Sequence, residues 1–296
     1  MFIMVEKSNN YESFKAQKFE PYDGFPNVYK SDKLEVVDEK QVKFNVDINN
    51  YSDSEPLVVS KYMKLSYLIN SIKGEYFFFA SPDSWLDPFE TLFYKPVMKI
   101  GENEEVSVHA CCFTCNDIEN EEGFWNIWSK GEKEPIVRVT YNMKRLVENL
   151  SRANFNQYDF YLGGMTYTSR EQILTKAVIQ HKYNNISEYI NNLCLKRNAY
   201  KYENELRLYV KRNKRNEKYT KLEEFSYSGN IITEITLPPI EPLGNSHPAK
   251  DMVKCIQDCK NLEIKEHISS VLQEKEVNCK ITQSALYCTG IRDRSY

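Results

Sequence analysis

The sequence has no long apolar run, little glycine and almost no net charge. Its best apolar stretches, residues 57–59 and Tyr76–Ala80, are far shorter than the about 18 residues needed to cross a bilayer, so no membrane span is predicted. Glycine occurs 10 times in 296 residues, which argues against low-complexity and repeat architectures. The net charge of -3, from 42 acidic and 39 basic residues, excludes a globally basic nucleic-acid binder. These absences predict a soluble globular chain whose function lies in local sites.

Familiar nucleotide and metal motifs are also missing. The chain contains no glycine-rich phosphate loop, no dinucleotide-binding fingerprint and no zincin helix. The apolar residues 1–5 carry no basic leader and are too short for a secretory signal. A cytoplasmic location is therefore expected, and with it eight cysteines that are reduced thiols rather than a disulfide framework.

A zinc site is the alternative for the cysteines. Cys112 and Cys115 have the spacing of a metal-binding pair, His109 is nearby, and Cys255 and Cys259 would complete the ligand set. However, the first pair belongs to an apolar strand-like segment, and the i, i+4 spacing of the second pair is typical of core residues on a helix. The sequence therefore predicts no metal site.

The composition changes near residue 56. Residues 1–56 are polar, contain several prolines and show no sustained helical period, so they are interpreted as an N-terminal extension. Residues 57–296 alternate between strand-like and helix-like segments, which predicts one domain. Its class is expected to be α+β, with a mixed or antiparallel sheet core and flanking helices.

The first strand of this domain covers residues 57–63, which alternate in polarity. A period of two places Lys61 among apolar side chains and Tyr62 on the opposite face. The next segment has apolar residues at helical spacing, with Ser66 as the expected N-terminal cap and Gly74 as the expected end. The pattern thus predicts a strand, a helix and a further strand in succession.

The segment 202–210 carries the strongest chemical signal. Alternation directs its leucines and valine to one face and Glu203, Glu205 and Arg207 to the other. Two carboxylates in one cleft suit the cleavage of a glycosidic bond, because one stabilises an oxocarbenium-like centre and the other deprotonates a nucleophile. The alternative is a solvated strand face with an ordinary Glu–Arg ion pair.

A second candidate site lies in the turn-rich segment 81–90. Two proline-containing turns alternate there with Trp85 and Phe89. Aromatic faces beside polar turns suit a planar ligand such as nicotinamide or adenine. In the alternative interpretation, Ser84 or Asp87 caps a helix and both aromatic rings belong to the core.

A basic run directly follows the segment 202–210. Such a run suits contact with RNA or DNA phosphates next to the candidate site, and the alternative is a solvated hairpin tip. The cations are Lys211, Arg212, Lys214, Arg215, Lys218 and Lys221.

Together these segments resemble an uncharacterised bacterial domain-of-unknown-function family over about residues 57–292. The likeness consists of an ordered set of short motifs. In this chain the motifs are Lys61-Tyr62, Tyr76 to Ser81, Asp87-Pro88-Phe89-Glu90, Cys112-Phe113-Thr114, Trp128-Ser129 and Glu203-Asn204-Glu205-Leu206-Arg207.

The order of these motifs is in turn similar to that of ADP-ribosyltransferases. The resemblance implies that NAD is the substrate, that Glu205 holds the 2′-hydroxyl of the nicotinamide ribose and that Glu203 activates the acceptor. Lys61 takes the place of a first-strand His or Arg, so we expect it to share a pocket with both glutamates. Gly131 stands where the unknown-function family commonly has Tyr. The residues implied to contact NAD are Lys61, Tyr62, Tyr76, Phe79, Ser81 and Arg207.

Bacterial transferases of this kind are often toxins of toxin–antitoxin or phage-defence systems. The resemblance therefore implies a macromolecular acceptor (protein, DNA or RNA) and an antitoxin partner, by analogy of fold. Two other functions stay open. One is a nucleotide-binding or regulatory protein without chemistry, and the other is a nuclease that holds Mg²⁺ on Asp87, Glu90, Glu203 and Glu205.

Overall fold

A computed structural model describes most of the chain from residue 57 onward and two strands before it. The described residues are 30–37, 42–46, 57–85, 87–102, 104–115, 121–129, 134–151, 155, 157–179, 182–213, 217–239, 250–284 and 286. Most of the predicted N-terminal extension lies outside them, and so do Gly131 and Cys288.

The strands of the described residues are numbered in chain order. They are β1 (Lys30–Val37), β2 (Val42–Val46), β3 (Val58–Lys64), β4 (Tyr76–Ala80), β5 (Met98–Ile100), β6 (Glu104–Thr114), β7 (Ile136–Asn142), β8 (Asp159–Gly164), β9 (Thr166–Thr168), β10 (Leu195–Arg197), β11 (Glu205–Asn213), β12 (Tyr219–Glu223), β13 (Ile232–Leu237) and β14 (Lys280–Gln283).

Six α-helices are described, and none of them is long and apolar enough to cross a membrane. Short 3₁₀ helices lie at Pro82–Ser84 and Asn198–Glu203. The α-helices are α1 (Leu65–Lys73), α2 (Glu121–Ser129), α3 (Met143–Leu150), α4 (Arg170–Ile179), α5 (Ile186–Leu193) and α6 (Lys250–Glu274).

A 12-stranded mixed sheet forms the centre of the fold. Its main path has the order β1-β2-β8-β11-β6-β3-β7-β13-β14, while β4 and β5 pair with β6, and β12 pairs with β4. Strand β11 is antiparallel to both of its neighbours, whereas β2–β8 and β13–β14 are parallel pairs. The predicted α+β class, with a mixed sheet and flanking helices, is confirmed.

The hairpin of β1 and β2 comes from the predicted N-terminal extension. Strand β2 pairs in parallel with β8 and so extends the sheet at that edge. The boundary at residue 56 stays a prediction, because residues 47–56 lie outside the described part of the chain.

Strand β11 separates two apolar layers because its side chains alternate between them. Leu206, Leu208 and Val210 pack in the layer on one face, which we call the first layer. Tyr209 packs in the second layer, on the opposite face. The predicted alternation of this segment is confirmed from Glu205 onward.

Helix α1 follows β3 without a loop. It begins at Leu65, so Ser66 lies inside the helix, and Lys64 occupies the capping position without a side-chain hydrogen bond. The prediction of a Ser66 cap is therefore wrong by two positions, while the predicted end at Gly74 is confirmed. The buried residues of the helix are Leu68, Ile69, Ser71 and Ile72.

The described cysteines are free thiols, and two of them differ from prediction. Cys255 and Cys259 lie on helix α6, as the spacing predicted, but both are exposed. The prediction that they belong to the core is wrong, because the buried side chains of α6 lie in its second half. Those buried side chains are Ile268, Val271 and Leu272.

Gly163 of β8 packs against Cys194, the residue directly after α5, and against Tyr209 of β11, and this contact leads to a stability prediction. A Cβ atom at this position would lie 2.4 Å from the Cys194 sulfur and 3.1 Å from Cε2 of Tyr209. Gly163→Ala is therefore expected to lower the free energy of unfolding by about 1–3 kcal/mol, the usual effect of overpacking. Urea unfolding of both proteins measures this difference.

The matched control is Gly123→Ala in α2, where a Cβ atom would meet nothing within 4 Å. Alanine has a higher helix propensity than glycine, so the free energy of unfolding of this variant is expected to rise by about 0.5–1 kcal/mol. Equal unfolding midpoints for Gly163→Ala and the unchanged protein would contradict the close contact.

Candidate active site

Strand β11 begins at Glu205 and brings two charged side chains to one face of the sheet. Glu205 is opposite Thr114 of β6, and Arg207 is opposite Cys112. Since alternate residues share a face, Glu205 and Arg207 lie on the same side, as predicted. Both are buried, with 7% of the Glu205 side chain and 1% of the Arg207 side chain exposed.

Glu203 is not part of β11, so the prediction that it continues the strand is wrong. It ends the 3₁₀ helix, and Asn204 follows in the left-handed region with a φ of 40°. Asparagine tolerates this conformation because its short side chain can hydrogen-bond locally. Here Nδ2 of Asn204 donates to the carbonyl oxygen of Cys115 at 3.0 Å. The turn still directs the Glu203 carboxylate towards that of Glu205.

Lys196 connects the two carboxylates. Its Nζ donates to Oε2 of Glu203 at 2.5 Å and to Oε2 of Glu205 at 2.8 Å. The same Nζ lies 3.0 Å from Oε1 of Glu90. One buried ammonium therefore serves three carboxylates.

Strand β10 positions Lys196 on the side of the sheet that carries Glu205. The spacing of apolar residues over 186–197 predicts one helix, but helix α5 ends at Leu193. The next residues are extended because β10 pairs in parallel with β9. The predicted helix is therefore too long at its C-terminal end, where Lys196 lies.

Arg207 of β11 binds two of the carboxylates that Lys196 also binds. Its Nε donates to Oε1 of Glu205 at 2.6 Å and its Nη2 to Oε2 at 2.8 Å, a bidentate pairing that fixes the carboxylate plane. Nη2 also donates to Glu90, and Nη1 donates to the carbonyl of Leu193 at 3.1 Å. The guanidinium carbon lies 3.8 Å from the ring centroid of Trp85. We call the following five residues the ionic cluster: Glu90, Lys196, Glu203, Glu205 and Arg207.

The Asp-Pro-Phe-Glu turn supplies Glu90 to this cluster. Oδ1 of Asp87 accepts from the backbone N–H of Phe89 at 3.1 Å, and its carbonyl accepts from that of Glu90 at 3.0 Å. Oδ2 of Asp87 accepts from Nε of Arg197 at 3.0 Å, and the Arg197 guanidinium lies 4.7 Å from the Phe89 ring centroid. The turn and the Glu-x-Glu-x-Arg strand, distant in sequence, therefore meet in one site.

The two glutamates of the strand motif have different electrostatic surroundings. Burial alone raises the pKa of Glu205, but Arg207 and Lys196 outweigh it and lower the pKa to about 2. Burial also raises the pKa of Glu203, and Lys196 opposes that shift only in part. The Glu203 side chain is 23% exposed. Arg207 and Lys196 therefore favour the ionised form of Glu205 more strongly than Lys196 alone favours that of Glu203.

A row of aromatic rings includes Tyr202, the residue directly before Glu203. The ring centroid of Tyr202 is 6.4 Å from that of Tyr200 and 6.1 Å from that of Phe124. Phe124 in turn stacks on Tyr62 at 5.5 Å. Tyr62 and Phe124 are buried, whereas Tyr202 is 38% exposed, so the ring surface open to a ligand is at the Tyr202 end of the row.

Lys61 lies on the opposite face of the sheet from Glu205, so the predicted shared pocket is wrong. Ser60 and Glu205 are both paired with Thr114 of β6, so their side chains lie on the same face of the sheet. Lys61 follows Ser60 in β3, and its side chain therefore points to the opposite face. Its Nζ donates to the Cys111 sulfur at 3.0 Å, in the first layer. The predicted apolar surroundings of Lys61 are confirmed, and they exclude it from the ionic cluster.

Three other residues implied to contact NAD have partners elsewhere. Phe79 is fully buried in the first layer, so its predicted role as a ligand contact is wrong. Ser81 shares a hydrogen bond of 2.7 Å with the hydroxyl of Tyr94. The ring of Tyr76 lies 4.4 Å from Nζ of Lys221. Ligand contacts of Ser81 and Tyr76 stay predictions.

Three of the four acids of the nuclease alternative, Glu90, Glu203 and Glu205, meet at Lys196. Asp87 pairs with Arg197 instead, so each of the four acids is bound by a basic side chain of the chain itself. Such pairing neutralises the carboxylate charge that a hard divalent cation needs from its ligands. The geometry therefore does not favour the nuclease. The basic side chains are Lys196, Arg197 and Arg207.

The described part of the basic run is largely paired with acids. Ion pairs of this kind reduce the positive charge available to phosphates, so nucleic-acid contact through the run stays a prediction. Lys214 and Arg215 lie outside the described residues. The pairs are Lys211 with Glu104 and Asp159, Arg212 with Glu217, and Lys221 with Glu223.

Sequence reasoning missed Lys196 and Tyr167. The Tyr167 hydroxyl accepts a hydrogen bond of 2.8 Å from the backbone N–H of Glu205. The available signal for Lys196 was a pair of basic residues directly after an apolar stretch. That stretch continued the helical period of α5, which concealed the change to a strand.

Comparisons with known proteins leave the family open. No family model matches the chain, and no curated protein matches it. Among solved structures, the chain has a likeness to Thermus sp. 2.9 DarT in complex with NAD+, at 9% sequence identity and a TM-score of 0.33. The match covers 79% of this chain and 97% of the other. A TM-score this low supports neither a fold nor a function for this chain.

Proposed function

We propose that this protein is an NAD-dependent ADP-ribosyltransferase in which Glu205 and Glu203 have separate catalytic roles. The observation that carries the proposal is the meeting of the Asp-Pro-Phe-Glu turn and the Glu-x-Glu-x-Arg strand in the ionic cluster. Within it, two adjoining carboxylates have their pKa values moved in opposite directions. Such a divergence suits one fixed charge and one proton acceptor.

Glu205 is proposed to act on the ribose. As the nicotinamide–ribose bond breaks, nicotinamide leaves with the electron pair and positive charge grows on the ribose. Glu205, held ionised by Arg207 and Lys196, would accept a hydrogen bond from the 2′-hydroxyl without taking its proton. That interaction strengthens as the charge grows, so it lowers the barrier more than it improves NAD binding.

Glu203 is proposed to act on the acceptor. The nucleophile of the acceptor forms a bond to the ribose C1′, and its proton passes to the Glu203 carboxylate. A raised pKa makes Glu203 the stronger base of the pair, and its partial exposure gives an acceptor access. The exposed ring of Tyr202 beside it offers a surface for a planar group.

A nucleic-acid acceptor is supported by one exposed surface. Phe78 and Tyr219 lie on neighbouring strands and stack at 5.3 Å, with 41% and 51% of each residue exposed. Lys218 is exposed next to Tyr219 in the chain. Exposed rings with cations nearby suit unpaired bases. The roles as a toxin and as the partner of an antitoxin belong to the same proposal and are based on the resemblance of the motifs.

The test is incubation of the purified chain with total cell lysate and NAD labelled in its adenosine part. We expect label in one of the protein, DNA or RNA fractions, with release of nicotinamide in equal amount. Glu203→Gln and Glu205→Gln should lose the labelled product. Glu223→Gln, a change at an exposed carboxylate of β12, serves as the matched control and should retain it.

One result would favour the nucleotide-binding alternative instead. If calorimetry shows NAD binding while no nicotinamide is released in the presence of lysate, the chain is a nucleotide-binding protein and the proposed reaction is wrong.

A further inference from the structure

The first half of helix α6 exposes three sulfur side chains. Met252 is 62% exposed, and Cys255 and Cys259 are exposed as well. The other described cysteines are buried or of intermediate exposure. Exposed methionine and paired exposed thiols are both uncommon, since these residue types are usually found in cores.

The three sulfur side chains lie on one face of α6. Their spacing is i, i+3 and i+7, and at 3.6 residues per turn this covers an arc of about 60° and about 10 Å along the axis. The thiols of Cys255 and Cys259 lie close enough to form a hydrogen bond with each other. The two thiols can therefore bind one ion together, with the Met252 thioether on the same face.

We propose that Met252, Cys255 and Cys259 form a surface site for a soft monovalent ion of the Cu(I) type. Thiolate and thioether sulfur are soft ligands that select Cu(I), whereas carboxylates and carbonyls suit harder ions. Binding breaks two S–H bonds, forms two Cu–S bonds and releases two protons to solvent. The copper is taken up and kept as Cu(I), so the step needs no oxidant or reductant.

The ligand set argues for Cu(I) over zinc. Structural zinc needs four ligands, mainly cysteine and histidine. Within the described part of the chain, no three His, Cys, Asp or Glu side chains lie together in a way that holds a metal. Two thiolates with a nearby thioether satisfy an ion that accepts a low coordination number. The site is separate from the ionic cluster and does not depend on the proposed transferase activity.

The test is an anaerobic titration of the reduced full-length chain with Cu(I), in competition with bathocuproine disulfonate. We expect Cys255→Ser and Cys259→Ser each to remove one bound ion per chain or weaken its binding by at least about 10-fold. Met252→Leu keeps the volume and removes the thioether, so it should weaken binding less. Cys279→Ser, at a cysteine of intermediate exposure on another segment, is the control and should leave the affinity of this site unchanged.

Circular dichroism of each variant separates loss of binding from loss of fold, because the three positions are exposed and their substitution should leave the spectrum unchanged. The proposal is overturned if the Cys255→Ser/Cys259→Ser double variant binds Cu(I) with the stoichiometry and affinity of the unchanged chain. It is equally overturned if the ion is held between two chains, with one copper per dimer in gel filtration.

Discussion

Arg207→Met is expected to lower the free energy of unfolding by about 3–5 kcal/mol, the usual effect of removing one partner from a buried ion pair. Arg207 donates to both oxygens of Glu205 and to Glu90, and all three side chains are almost completely buried. Without the guanidinium, three acids of the ionic cluster would share only the charge of Lys196. Chemical denaturation at neutral pH measures the loss.

The pH dependence of this loss provides a second measurement. Glu205 has a folded pKa of about 2, below the ordinary value of 4.5, so it contributes stability above pH about 4.5 that disappears as the pH falls towards 2. The difference between Arg207→Met and the unchanged chain should therefore narrow as the pH falls through that range. Adding Glu205→Gln to Arg207→Met removes the uncompensated charge and should recover part of the stability.

The control for Arg207 is Arg145→Met, which removes a guanidinium from an exposed i, i+3 pair with Glu148. Such pairs contribute little, and a change within about 0.5 kcal/mol is expected. A loss below about 1 kcal/mol for Arg207→Met would show that the ionic cluster is not a significant source of stability.

Glu205→Gln is expected to lower the rate of nicotinamide release by about 10²-fold or more, with NAD binding nearly unchanged. The amide keeps the shape of the side chain and removes the charge that would stabilise the ribose in the transition state. Glu203→Gln should reduce transfer to the acceptor more than hydrolysis of NAD, since its proposed partner is the nucleophile. Both reactions need to be measured on both variants, with NAD titrated by calorimetry.

Glu90→Gln is the matched control within the ionic cluster. Glu90 contacts Lys196 and Arg207 as Glu205 does, but the proposed reaction gives it no contact with NAD. Glu90→Gln should lower the free energy of unfolding, but it should reduce the rate of nicotinamide release less than Glu205→Gln does. If Glu90→Gln and Glu205→Gln reduce the rate equally, Glu205 acts only through the structure of the cluster, and its proposed role at the ribose is wrong.

The ionic cluster also explains how the site is held in one arrangement. Buried charges are expensive to desolvate, so such a cluster is retained only where its geometry and hydrogen bonding are good. Lys196 comes from β10, Arg207 from β11 and Glu90 from the turn after β4. Since each charge needs the others, the cluster fixes the relative positions of these segments.

Much of β11 was predictable because its pattern is local. A strand alternates with a period of two, so the apolar side chains of Leu206, Leu208 and Val210 fixed the face on which Glu205 and Arg207 had to lie. The same reasoning placed Lys61 among apolar neighbours. This reasoning did not extend to Glu203, because the left-handed residue Asn204 separates Glu203 from the start of β11 at Glu205.

Sequence alone determined the α+β class, the facial pattern of β11 and the apolar surroundings of Lys61, because each depends on the spacing of residues within one segment. Tertiary structure alone decided which face of one strand meets which face of another. The pairing of β3 with β6 places Lys61 on the face of the sheet that does not carry Glu205. The pairing of β10 with β9 makes a strand of the segment that carries Lys196, although its sequence pattern is helical. Strand register is a non-local property, fixed by hydrogen bonds and packing between segments distant in sequence, so no periodicity within a segment reveals it.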